Sequence, residues 1–214
     1  QRDFFQNVSH ELRNPLMSIC GYAQGIEQNV FPQPQQAAHT ILEESDRLTK
    51  LVGSLLTLSR IESGQHAPEL APLCVGECME DCLDRAAGAA LQKNIRLCYT
   101  APEKRLFVLG NEELFAQVAE NLLSNAIRYA HATVEVACTE KDGWIQVTVA
   151  DDGDGIDEKD LPRIFERCYK GKGGHFGIGL AIARSAAEQM QGTLSAMNRE
   201  SGGACFTWTL SKLD

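Results

Sequence analysis

No stretch of this 214-residue chain approaches the ~18 consecutive apolar residues that a membrane span needs, and its opening residues lack the basic and apolar regions of a signal peptide. Positive charge is scarce. Lys plus Arg number 20 against 29 for Asp plus Glu, and the net charge of -9 offers no field to a polyphosphate backbone. Nucleic acid is therefore not an expected partner. Proline is sparse at 7 residues and 43% of the chain is hydrophobic, which excludes collagen, a mucin-like stalk and a disordered tail. Cysteine is present 8 times but never as a C-x-x-C pair, and no histidine stands at zinc-finger spacing from two of them. Cys74, Cys78 and Cys82 recur every four residues, as along one helix face where Cys acts as a small buried hydrophobe. Free thiols in this number suit a reducing compartment. A chain of this size makes one large domain or two small ones and should expose about 10,000 Å² when folded.

Hydrophobic spacing defines the first sixty residues. Phe5, Leu12, Ile19 and Ile26 recur every seven positions, with Val8 and Tyr22 in the companion register, which predicts a helix with an a/d seam. A second seam follows in Ile41, Leu48 and Leu55 with Leu51 and Leu58, over about 35–62, and Ser63-Gly64 is a plausible stop. The short Phe31-Pro32-Gln33-Pro34 connection makes the two helices antiparallel neighbours. Phe4, Leu16, Met17, Val52 and Leu56 widen the apolar stripes beyond what one partner helix covers. A homodimer closing a four-helix bundle is the expected remedy. The chain opens inside a helical pattern, as a piece of something longer would.

His10 falls at position f of the first seam, facing solvent. Glu11, Arg13 and Asn14 surround it, and Pro15 sits inside the helical pattern, where it removes the hydrogen bond to the Glu11 carbonyl at a typical cost of about 3 kcal/mol. A kink beside the histidine is expected. A local rule broken next to an exposed imidazole points to function, although a tolerated bend in a long helix has the same pattern.

Residues 65–73 lose heptad order and carry Pro68 and Pro72, so a linker is placed there. From 74 to 214 the pattern changes. Residues 105–109, 133–138, 144–150, 193–197 and 205–210 read as strands, and 75–90, 112–130 and 178–191 as helices, an α/β layer domain with helices on one face. On the 112–130 helix, Asn121, Asn125 and Arg128 share a face beside Tyr129. Amide oxygens suit a magnesium ion that keeps most of its waters and binds phosphates, though exposed Asn and Arg on a helix also simply meet water. The loop Asp151-Asp152-Gly153-Asp154-Gly155 follows a strand. Its glycines allow close backbone approach to a ligand, and Asp151 offers an acceptor to an exocyclic amine. A plain acidic turn remains open, while EF-hand spacing fails. Next comes Lys170-Gly171-Lys172-Gly173-Gly174-His175-Phe176-Gly177-Ile178-Gly179-Leu180, a glycine-rich run opening onto a helix whose first N–H groups can take phosphate oxygens. Neither a Walker A string nor a dinucleotide fingerprint is present.

Phe5-x-x-x-Ser9-His10-Glu11-Leu12-Arg13-Asn14-Pro15-Leu16 resembles the H box of bacterial sensor histidine kinases. The order of asparagine helix, Asp-Gly loop, Phe165-containing segment and glycine loop resembles the N, G1, F and G2 boxes of their catalytic domain. That domain belongs to the wider histidine kinase, gyrase, Hsp90 and MutL class of ATPases. Together the motifs reach along essentially all of the chain. The implied fold is an α-helical hairpin forming a dimeric four-helix bundle (1–64), a linker (65–73) and an α/β sandwich ATP-binding domain (74–214). Two departures stand out: His175 replaces the first glycine of the second glycine box, and Cys168 replaces a common aromatic.

The resemblance implies that His10 is the phosphoacceptor, with Glu11 fixing its tautomer and Asn14 placing a water for phosphatase action. ATP and Mg2+ are the implied cofactors. Asn125 would be the direct metal ligand, with Asn121 its helper, Arg128 near the phosphates and Tyr129 beside the adenine. Asp151 would hold the adenine amino group, with Gly153 and Gly155 shaping its loop. Lys170 would reach the γ-phosphate, and Gly177, Gly179 and Leu180 would form the second glycine box. A response regulator aspartate would receive the phosphoryl group, and the chain would be the cytoplasmic part of a bacterial membrane sensor. A clamp ATPase of the same class and a degenerate kinase kept as a scaffold are the rivals. The H box and Asn121 disfavour the first, and intact His10, Asn125 and Asp151 the second.

Overall fold

The computed structural model describes residues 2–63, 68–167, 169 and 177–213. Helix α1 (Arg2–Glu27) and helix α2 (Pro34–Ser63) form the hairpin. Their seam buries Val8, Pro15 and Ala37, with Leu12, Ile19 and Tyr22 half-buried, while Leu51 and Leu58 of α2 are buried in one cluster with the core of the domain that follows. Phe5, the first seam position, has a side chain outside those described. Pro15 occupies a d position of the heptad and stays inside a continuous helix, so its ring serves as a seam residue as well as breaking a hydrogen bond. Asn29 ends α1 at φ 54. Its N–H bonds the Ile26 carbonyl at 3.0 Å and the Val30 N–H bonds the Gly25 carbonyl at 2.9 Å, the paired bonds of a left-handed helix stop. Phe31 folds back to stack on Tyr22 with centroids 5.6 Å apart. Gly25 makes room, since a Cβ there would lie 2.2 Å from the Phe31 ring.

The rest is a mixed five-stranded sheet in the order β2 (Arg96–Thr100), β4 (Thr133–Lys141), β5 (Trp144–Asp151), β7 (Ala204–Ser211), β6 (Thr193–Asn198). Only β2 and β4 run parallel; the other pairs are antiparallel. Alternate residues Ile145, Val147 and Val149, with Phe206, Trp208 and Leu210 on the neighbouring strand, are buried. That two-residue period presents one apolar face to helices α3 (Val75–Gln92), α4 (Glu112–Tyr129) and α5 (Gly179–Gln189). Phe115 of α4 meets Trp208 with ring centroids 4.9 Å apart.

Several boundaries differ from expectation. Strand β1 (Ala71–Cys74) occupies the end of the stretch read as linker and pairs with β3 (Phe107–Gly110), Cys74 opposite Phe107. Cys74 is therefore extended, at φ -81 and ψ 108, and not on the helix face with Cys78 and Cys82, because the ladder to β3 outweighs the four-residue spacing. β3 itself begins two residues later than read. β2 was absent from the expected elements. Its alternation is weak because it is a half-buried edge strand, and its place is set by pairing with β4. The seven described cysteines are free, and burial pushes the thiols of Cys78, Cys82 and Cys138 up to about 11.

Candidate active site

Asp151 is the last residue of β5 and the buried charged residue of the described core, 2% exposed. Strand alternation carries it inward while the chain turns. Its Oδ1 accepts from the Gly153 N–H at 3.0 Å and the Ala204 N–H at 3.2 Å. Burial raises its pKa, and these two bonds only partly offset that. Both fall on one oxygen, so Oδ2 is the acceptor available to a ligand.

Asp152 faces the other way. Its carboxylate accepts from the backbone N–H groups of His131 at 2.9 Å, Ala132 at 3.0 Å and Thr133 at 3.0 Å, tying the end of α4 to the loop. Burial alone would raise its pKa, but the bonds from Ala132, Thr133 and His131 together prevail and lower it. The stability this group contributes is thus full above its unfolded value near 4 and is lost as pH falls through the lower folded value. Asp152→Ala is expected to melt below wild type at pH 7, with the two Tm values converging as pH drops below about 4. A constant gap across that range would disprove the linkage.

The glycines of this loop do something the sequence did not reveal. Gly153 serves packing within the protein, because a Cβ there would lie 2.2 Å from the Tyr129 carbonyl oxygen; it does not line the cavity described next. Gly153→Ala is expected to lower stability by about 1–3 kcal/mol, the cost of overpacking, measured as a shift in urea midpoint. An unchanged midpoint would contradict the contact. Gly155 adopts φ +78, which favours glycine.

A cavity of about 1110 Å³ opens between α3, α4, the loop after β5 and the start of α5, large enough to take a nucleotide. It brings together Asn121, Asn125, Arg128, Tyr129, Asp151, Gly155, Gly177, Gly179 and Leu180. Ile156, Ile164, Ile178 and Phe206 add apolar wall for a flat ring, and Arg128 lies 5.3 Å from the Tyr129 ring centroid. Asn121 donates from Nδ2 to the Gln117 carbonyl at 2.7 Å. Its Oδ1 faces α5, 2.7 Å from where a Gly179 Cβ would sit. Glycine at the helix start thus lets the amide oxygen and the first N–H groups of α5 share one space. Lys170, Cys168 and His175 lie outside the described residues.

His10 and Asn14 are exposed on α1, one helical turn apart, and Glu11 is half-buried. None of the three lines the cavity; among the described residues the hairpin contributes Ser54 of α2. The structure therefore holds the imidazole and the cavity as two separate centres. Among the described residues no group of three or more His, Cys, Asp or Glu could hold a metal ion. A cation here would rest on the amide oxygens of Asn121 and Asn125, water and ligand phosphates, a hard-oxygen set that fits magnesium.

Three helices over a mixed sheet, with asparagines on the middle helix, a buried aspartate at a strand end and glycine opening the next helix, define an ATPase-type nucleotide fold behind a histidine-bearing hairpin. Residues 1–64 match the His Kinase A (phospho-acceptor) domain, and residues 110–214 the histidine kinase-, DNA gyrase B- and HSP90-like ATPase. The chain belongs to the histidine kinase family. It is 30% identical over 223 residues to the sensor-like histidine kinase SenX3 of Mycobacterium tuberculosis, covering 100% of this chain and 54% of that protein. It thus spans about half the length of such a relative. Full-length ShkA, solved with AMPPNP, superposes with a TM-score of 0.71 at 25% identity over 99% of this chain and 46% of that one. ThkA, solved with the response regulator TrrA, superposes at 0.83 and 21% identity over 99% of this chain and 61% of that one.

Proposed function

We propose that this chain is a sensor histidine kinase core: ATP held in the α/β domain phosphorylates His10, and an aspartate of a response regulator then takes the phosphoryl group. The observation that carries the reading is the pairing, in one chain, of an exposed imidazole on a hairpin with a buried carboxylate at the floor of a nucleotide-sized cavity. A ring nitrogen of His10 attacks the γ-phosphorus; an N–P bond forms, the bond to the β-phosphate oxygen breaks, and ADP leaves. Glu11 accepts a hydrogen bond from the other ring nitrogen and so selects the tautomer that attacks. Asp151 orients the adenine through its exocyclic amine, Tyr129 and Ile156 flank the ring, and Arg128, Lys170 and the N–H groups of Gly177, Gly179 and Leu180 neutralise the phosphates. A magnesium ion held by Asn125 and Asn121 would supply further charge neutralisation.

Because His10 does not line the cavity, the catalytic domain must move relative to the hairpin to deliver the phosphoryl group. Leu16, Met17, Val52 and Leu56 are exposed, at 52%, 65%, 42% and 56%, a stripe that fits the same face of a second copy in a four-helix bundle. Asn14, exposed one turn from His10 on α1, would hold a water against a phosphorylated regulator, giving phosphatase action. No described helix is long and apolar enough to cross a membrane; the likeness to sensor kinases supports a place on the cytoplasmic side of a membrane sensor. Incubation with magnesium and γ-labelled ATP tests the reading. An acid-labile, base-stable protein phosphate supports it, and its absence in a folded, ATP-binding protein refutes it.

A further inference from the structure

We propose that Asn198, at the end of β6, is a positioning residue for purine recognition, clamping the loop that follows Asp151. Its side chain engages Ile156 in both directions. Oδ1 accepts from the Ile156 N–H at 2.7 Å and Nδ2 donates to the Ile156 carbonyl at 2.7 Å, across 42 residues of chain. A primary amide matched to one residue's N–H and C=O holds backbone as a neighbouring strand would. Ile156 is part of the cavity wall. Gly155, just before it, turns at φ +78, and a Cβ there would lie 2.9 Å from Asn198 Oδ1. The turn and the amide are fitted to each other.

The same β6–β7 connection also grips Asp151. Arg199 donates from Nη1 to the Asp151 carbonyl at 3.4 Å and pairs through Nη2 with Glu135 at 2.8 Å. Gly203, at φ +87, approaches so closely that a Cβ would lie 2.0 Å from the Asp151 carbonyl oxygen. Ala204 donates to Asp151 Oδ1. The acidic loop is therefore anchored to residues 198–204 at both ends, at Asp151 by the Ala204 N–H and by Arg199, and at Ile156 by Asn198.

This inference rests on the ATP reading. Asp151 selects adenine because it accepts from an exocyclic amine, whereas guanine presents a carbonyl oxygen at that place, acceptor against acceptor. Selection requires a fixed relation between the carboxylate and the wall on which the base lies. Asn198 maintains that relation, and releasing Ile156 is expected to weaken ATP about tenfold and to bring GTP and ATP affinities together.

Titration calorimetry with Mg-ATP and Mg-GTP tests it on wild type, Asn198→Ala, Asn198→Asp and Ser195→Ala, with thermal melts alongside. Asn198→Asp keeps the acceptor but sets a second oxygen against the Ile156 carbonyl. Ser195 lies on the same strand and bonds the Thr207 carbonyl at 3.4 Å, a control for general weakening of the β6 edge. Wild type and Ser195→Ala should prefer ATP, and both Asn198 variants should lose the preference while folded. Folded Asn198 variants that retain wild-type selectivity overturn the clamp and leave the kinase reading intact. Unfolding of both variants also overturns it, since the role is then structural. A wild type that binds no ATP overturns the kinase reading and the clamp with it.

Discussion

His10→Gln abolishes labelling from γ-labelled ATP, down to background, while nucleotide affinity stays within about twofold of wild type. Glutamine preserves polarity and helix propensity on an exposed face, so the hairpin persists. It has no nucleophilic ring nitrogen, so no N–P bond forms. Affinity is spared because, among the described residues, none of α1 lines the cavity. The two readouts separate the phosphoacceptor from the nucleotide site. Equal labelling of variant and wild type would sink the role of His10, and a parallel loss of affinity would contradict the separation of the two centres.

Asp151→Asn leaves the protein folded and nearly eliminates ATP binding. The amide oxygen can keep the N–H groups of Gly153 and Ala204, which directs the amide nitrogen to the position Oδ2 held. A donor then faces the adenine amine. Loss of a charge-assisted bond and an unpaired buried donor together cost about 3–4 kcal/mol, or roughly 100- to 1000-fold in Kd. Stability moves little or upward. Burial raises the pKa of Asp151 in the fold, so its ionised form opposes folding, and that cost grows as pH rises through the folded value. A neutral amide removes it. Calorimetry and thermal melts at pH 7 check both halves; an unchanged Kd would remove Asp151 from the ligand's surroundings.

How much of this was readable beforehand differs by element. The hairpin was, because a seven-residue repeat writes packing directly into spacing: Leu12, Ile19 and Tyr22 turn inward and His10 outward. The central strands were, because Ile145, Val147 and Val149 alternate with polar neighbours. Strand β1 was not. Pro68 and Pro72 read as linker, yet Ala71 to Cys74 has an edge partner in β3 that only the folded chain supplies. The loop glycines stood out as special backbone positions, but the close approach of Gly153 to the Tyr129 carbonyl did not show in the sequence. Ile156, Ala204, Phe206 and Asn198 carried no readable mark, because an isoleucine wall or a backbone-clamping amide looks like any other before its partner is known.

The linear order of residues determined the two-part plan, the outward face of His10 and the succession of asparagine helix, acidic loop and glycine loop, because periodicity and short motifs are properties of neighbours along the chain. Tertiary structure alone decided which oxygen of Asp151 is spent on the protein, that Asp152 ties α4 to the loop, and that a connection 53 residues onward supplies the Ala204 N–H to Asp151. Those outcomes depend on hydrogen bonds between distant segments, and such bonds exist only after the sheet has set its strand order.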